Sequence, residues 1–166
     1  AHHAGVEEDG LSDDASIASR IASAPSLASV ADRRWDLLVV GAGPAGSAAA
    51  CRAAALGLRT LLVDRAAFPR TKVCGGCLSP LGLAAVDALG LEADVRSVSV
   101  PLRTLSLKAR GRTSHLPLRG GVAVSRESLD TMLLHHAARA GVTVLASTVA
   151  SLAENEASHA VAVLRR

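Results

Sequence analysis

The chain has no tyrosine, and among its 166 residues only Trp35 and Phe68 are aromatic. It therefore offers no stacking platform for bases. It has no lysine run either, so a nucleic-acid partner is not expected despite a net charge of +3. Three cysteines at uneven spacing give no disulfide framework, which points to a reducing compartment. The N-terminus lacks the basic and apolar regions of a secretion signal, and the expected location is cytoplasmic. Long hydrophobic runs are missing too. The longest, Leu37 to Cys51, is broken by glycines and followed by Arg52, too short and too glycine-rich for a membrane span.

The chain does have small and branched aliphatic residues. Apolar residues make up 49% of the sequence, dominated by Ala, Leu and Val, a composition suited to helices packed on a parallel sheet. Charge divides it in two. Residues 1–34 hold six acids and three bases, net −3, which leaves nine acids and fifteen bases, net +6, for the remainder. Arginines that neutralise a bound pyrophosphate account economically for part of that excess. Ile17, Ile21, Leu27 and Val30 give the first segment only a faint helical period, broken by Pro25, and residues 1–34 are read as a disordered tail or a marginal helix. Residues 35–166 form the domain.

The run "WDLLVV" reads as a buried strand, the alanine-rich stretch from Pro44 to Leu56 as a helix stopped by Gly57, and "RTLLVD" as a second strand. A crossover of this kind implies parallel pairing. A long loop, "RAAFPRTKVCGGCLSP", precedes a helix from about Pro80 to Leu89. Alternation around Arg110-Gly111-Arg112 marks an antiparallel hairpin, an insertion at about 98–120. Ser125 caps a helix that carries Leu129, Met132 and Leu133 on one face and stops at Gly141. "VTVLA" then returns to the first sheet, and "AVAVLRR" belongs to strands of an unfinished element. The fold class is α/β: a Rossmann-like βαβ domain with a parallel sheet, plus the hairpin insertion.

The turn Gly41-Ala42-Gly43-Pro44-Ala45-Gly46 carries the chemistry. Gly41 permits a tight exit from the strand, Gly43 lets backbone approach a pyrophosphate, and Gly46 allows close helix packing. The helix start offers unpaired N–H groups and partial positive charge to phosphates. Asp64, eighteen residues beyond Gly46, ends the second strand, where a carboxylate can accept bonds from both ribose hydroxyls and repel a 2′-phosphate. A glycine-rich turn without a ligand is the bland alternative. FAD and NAD share the ADP half, so the turn does not choose between them.

The loop "FPRTKVCGG" and the helix "SRESLDTMLLHHAARAGVTV" resemble flavoproteins of the p-hydroxybenzoate-hydroxylase fold, and the loop resembles their geranylgeranyl reductase-like branch. The resemblance spans Trp35 to Val149. It implies an FAD-dependent oxidoreductase with NAD(P)H as reductant and a small-molecule or lipid-like substrate. The reaction would be hydride transfer to an alkene such as a prenyl chain, or hydroxylation. Membrane association is compatible with the sequence but not shown by it. By the same resemblance Arg65 and Arg70 flank the adenosine or pyrophosphate. Cys74, Gly75 and Gly76 approach the flavin, Arg126 contacts the cofactor from its helix start, and Val149 meets adenine through its backbone. Two features of the family are missing. No Gly-Asp segment for the flavin-side ribose precedes Arg166, and the aromatic substrate-side motif is absent. An N-terminal portion of a longer enzyme, inactive alone, is therefore expected, with a truncated non-catalytic nucleotide-binding module as the rival.

Cys74-Gly-Gly-Cys77 has three readings: half of a zinc site lacking its other ligands, a flavin-linked redox dithiol, or glycines for close approach with cysteines as small packing residues. His135 and His136 are adjacent on a helix and face different ways, so no metal is expected there. His115 reads as a solvated hairpin position, and no residue is assigned as a catalytic acid or base.

Overall fold

A computed structural model describes residues 25–156 and 158–166. Its centre is a three-stranded parallel sheet of β1 (Leu37–Val40), β2 (Thr60–Val63) and β8 (Thr143–Leu145), with β2 in the middle. The four residues of β2 are all buried, and adjacent side chains serve opposite faces. Leu62 joins Ala50, Cys51, Leu134 and Ala137 on one side. Leu61 and Val63 join Val30 and Leu145 on the other.

Helix α2 (Pro44–Ala55) makes the βαβ crossover, and its small residues let it sit close to the sheet. Ser47, Ala50, Cys51 and Ala53 are its buried positions, so the helix buries little area per residue but packs at short range. Helix α5 (Arg126–Arg139) lies alongside it. Ser125 caps α5 by accepting from the Ser128 N–H, and Leu134 and Ala137 face the shared core. The three-residue strand β8 follows Gly141, as the sequence suggested.

A second core lies beside the first. Helices α3 (Pro80–Asp87) and α4 (Glu92–Ser97) enclose Leu83, Val86, Leu91 and Val95 against Leu129 and Leu133 of α5. A small antiparallel sheet closes it, in which β7 (Val122–Ala123) lies between β3 (Cys77–Leu78) and β4 (Val100–Pro101). Neither α4 nor this sheet was expected, because a two-residue strand leaves no periodic trace. The anticipated hairpin is present as β5 (Thr104–Ala109) and β6 (Arg112–Pro117), and every residue of both strands is exposed. The C-terminal segment forms a second hairpin, β9 (Val149–Asn155) with β10 (Ala160–Arg165). Ala150 and Leu164 bring it onto the Val30 side of the parallel sheet.

The tail needs a correction at its end. Residues 1–24 lie outside the described residues, but α1 (Leu27–Ala31) is helical, capped by Ser26. Val30 is 3% exposed, and the Trp35 indole donates to its carbonyl at 3.1 Å. Contact with the sheet stabilises a turn whose own period was too weak to show it.

Candidate nucleotide-binding cleft

The cleft opens at the C-terminal ends of the parallel strands, where α/β sheets bind ligands. Gly41 leaves β1 with φ +103, a left-handed conformation that favours glycine. Gly46 is fixed by space instead, since a Cβ there would overlap the Gly41 carbonyl oxygen. Gly43 is extended, at φ −79 and ψ −179, so its conformation suits any residue. What its missing side chain leaves open is the approach from above, where a Cβ would lie 3.4 Å from Arg70 Nη2 and 3.8 Å from Arg126 Nη2. No side chain caps α2. The first intrahelical donor is Ser47, which leaves the Ala45 and Gly46 N–H groups directed at the opening.

Asp64 is 5% exposed and already engaged. One carboxylate oxygen accepts from the Ala42 N–H at 2.7 Å and the other from the Ala66 N–H at 2.8 Å. The acid thus ties the glycine turn to the end of β2. Its carbonyl accepts from the buried Thr148, which fixes the start of β9 at the same edge.

Two arginines converge on a second acid. Asp130 is fully buried on α5. It accepts two bonds from Arg126, Nε at 2.8 Å and Nη2 at 2.9 Å, and one from Arg70 Nη2 at 3.2 Å. Arg70 also reaches Asp64 through Nη1 at 3.4 Å and lies over the Phe68 ring, 5.0 Å from its centroid. The Arg126 pKa is raised, first by its hydrogen bond to Asp130 and against the effect of burial. The charge of Asp130 and the Cys74 sulfur beside it also contribute. Both guanidinium groups are therefore held in place before any ligand arrives.

The resulting cleft has a volume of about 680 Å3. Gly41, Gly43, Pro44, Ala45, Gly46, Asp64, Arg65, Arg70, Arg126 and Val149 line it, so most residues singled out from sequence meet in one place. Ala42 is buried beneath the turn and contributes its N–H to Asp64. Cys74, Gly75 and Gly76 do not line the cleft; Cys74 stands next to it through Arg126. Sequence reasoning missed Lys72 and Thr148 in the lining and Asp130 behind it. Asp130 lies within the helix "SRESLDTM" that carries the family resemblance, but its gathering of an arginine from sixty residues away leaves no local mark. Four cations, Arg65, Arg70, Lys72 and Arg126, line the cleft against one acid, Asp64, so the cleft favours an anion.

Elsewhere, His115 Nδ1 lies 2.8 Å from Ser106 Oγ on the exposed hairpin, as an ordinary cross-strand pair. Among the described residues no helix is long and apolar enough to cross a membrane.

A family model for FAD dependent oxidoreductases matches residues 36–165, and the chain belongs to that family. It is similar to the menaquinone reductase of Mycolicibacterium smegmatis, with 37% identity over 121 residues that cover 69% of this chain and 29% of that protein. The geranylgeranyl diphosphate reductase of Rhodobacter capsulatus is 35% identical over 119 residues, 69% of this chain and 28% of that protein. Among solved structures, a myxobacterial chondrochloren halogenase, a variant of FAD-dependent halogenases, matches with a TM-score of 0.68 at 27% identity. That match covers 78% of this chain and 35% of the halogenase. The chain thus spans less than a third of the length of the two reductases.

Proposed function

We propose that this chain forms the ADP-binding side of an FAD site in a flavin-dependent reductase that uses NAD(P)H as reductant and acts on a small-molecule or lipid-like substrate. The observation that carries the reading is the opening above Gly43, bounded by a helix N-terminus and two arginines anchored on a buried carboxylate. These donors fit a pyrophosphate: a Cβ at Gly43 would enter the space it needs, and Ala45 and Gly46 supply N–H groups. Arg70 and Arg126 would neutralise its charge without reorganising, since Asp130 already orients them. Asp64 retains lone pairs beyond the two used by Ala42 and Ala66, which a ribose hydroxyl can occupy. The exposed Val149 at the far lip would present backbone to adenine.

When bound, FAD supplies the hydride chemistry; the residues named here bind and orient it. Reduction is favoured over hydroxylation by the "FPRTKVCGG" loop and by reductases among the relatives, the menaquinone and geranylgeranyl diphosphate reductases included. The isolated chain is expected to bind weakly and not to turn over, because nothing among the described residues encloses a flavin ring. In a fluorescence titration, ADP should compete with FAD at comparable affinity. Gly43→Asp, which sets a carboxylate against the pyrophosphate, should abolish binding of both. Unchanged binding by Gly43→Asp would refute the placement, and ADP-resistant binding would show that the flavin half is also held.

A further inference from the structure

One pair of groups stands beside the cleft without lining it. Cys74 and Cys77 are free, exposed thiols separated by two glycines. The two sulfurs bond to opposite edges of the single peptide unit between those glycines, so closure exchanges these two weak bonds for the S–S bond. Cys74 Sγ accepts from the Gly76 N–H at 3.2 Å, and the Cys77 thiol donates to the Gly75 carbonyl at 3.2 Å. Gly76 has φ +64, which reverses the chain between them. Cys77 is anchored on β3, paired with Ala123, whereas Cys74 ends a segment with no helix or strand after β2. One sulfur is thus carried on a strand and the other on a loop. The guanidinium of Arg126 lies beside Cys74.

We propose that Cys74 and Cys77 close reversibly into an intraloop disulfide, which makes this loop a thiol-exchange site at the edge of the cleft. The oxidant is a low-molecular-weight disulfide such as oxidised glutathione. The Cys74 thiolate attacks one sulfur of that disulfide, a mixed disulfide forms, and one glutathione thiolate leaves. Cys77 then gives up its proton and attacks Cys74 Sγ, which forms the ring and expels the second glutathione. The protons of the two cysteines end on the two released thiols, and the two electrons lost by the pair are the two that reduce the oxidant. Closure turns Cys74 away from Arg126, so the loop has two covalent states with different contacts to the cleft wall.

The test needs no flavin and no turnover. The reduced full chain is exposed to oxidised glutathione at neutral pH, quenched with acid and weighed intact, and its peptides are then mapped. Wild type should lose two hydrogens and retain no glutathione, with the bridge mapped to Cys74 and Cys77. Cys77→Ser should retain one glutathione on Cys74. Cys51, 4% exposed and with its thiol pKa raised by burial, should stay unmodified in both. Wild type that holds glutathione without closing, or bridges only between chains, would overturn the proposal.

Discussion

Strand β2 and strand β5 are both short and leucine-bearing, yet they sit in opposite environments. In β2 all four residues are buried between two apolar clusters, with helices on one side and α1 and the β9–β10 hairpin on the other. In β5 all six are exposed, and Leu105 and Leu107 pair with Leu116 and Ser114 of a single partner strand. The difference lies in what covers them, not in the sequence of the strands alone. A continuous apolar run such as "TLLV" needs two covered faces, whereas the alternation in "TLSLKA" needs one. The parallel sheet and the second core beside it therefore carry the stability of the described residues. The β5–β6 hairpin is a surface element, held mainly by its own ladder.

Substitutions can break this contrast. Leu62→Ala, at a fully buried site between α2 and α5, should cost about 3–4 kcal/mol in urea unfolding, and a loss under 1 kcal/mol would mean the core collapses around it. Asp130→Ala should cost about 2–3 kcal/mol. That is less than a fully buried pair would lose, because Arg70 and Arg126 keep side-chain exposures of 17% and 19% and can turn toward water. The same variant should weaken ADP binding, and retained affinity would detach the arginines from the site. Asp64→Ala should reduce nucleotide affinity by roughly ten- to a hundredfold, corresponding to about 1.5–3 kcal/mol for charge-assisted bonds. It should also lower stability, since the Ala42 and Ala66 N–H groups lose their acceptor. A change below twofold in affinity would mean the carboxylate serves only the turn. The smallest effect belongs to the other region: Leu107→Ser on β5 should change stability by less than about 0.5 kcal/mol. A large loss there would show that the hairpin face is covered in solution.

What could be read from sequence follows the range of the interactions. The βαβ unit, its glycines and the closing acid are local patterns, because a turn, a helix start and a strand end each leave a mark within thirty residues. The Arg110-Gly111 hairpin and the Ser125 cap are equally local, and both are present as expected. Asp130 and Lys72 were not legible as site residues, because their roles depend on which segments fold against each other. The three arginines noted from sequence do reach the cleft, but the acid that orients two of them is a fully buried side chain on α5. Helix α1 showed only as a faint period for the same reason: it exists through Val30 and Trp35 meeting the sheet, not through its own propensity.

The burial of Cys51 gives the molecule a built-in clock. This thiol sits in mid-α2, the helix whose start faces the cleft, and is sealed by the core shared with α5 and β2. A reagent can reach it only when that helix lifts from the sheet, so its labelling rate in native conditions measures the free energy of that local opening. A ligand bound at the opposite end of the same helix must slow the clock by an amount set by its affinity and concentration. Anything that holds the phosphate-binding turn in place could thus be timed from a sulfur it never touches.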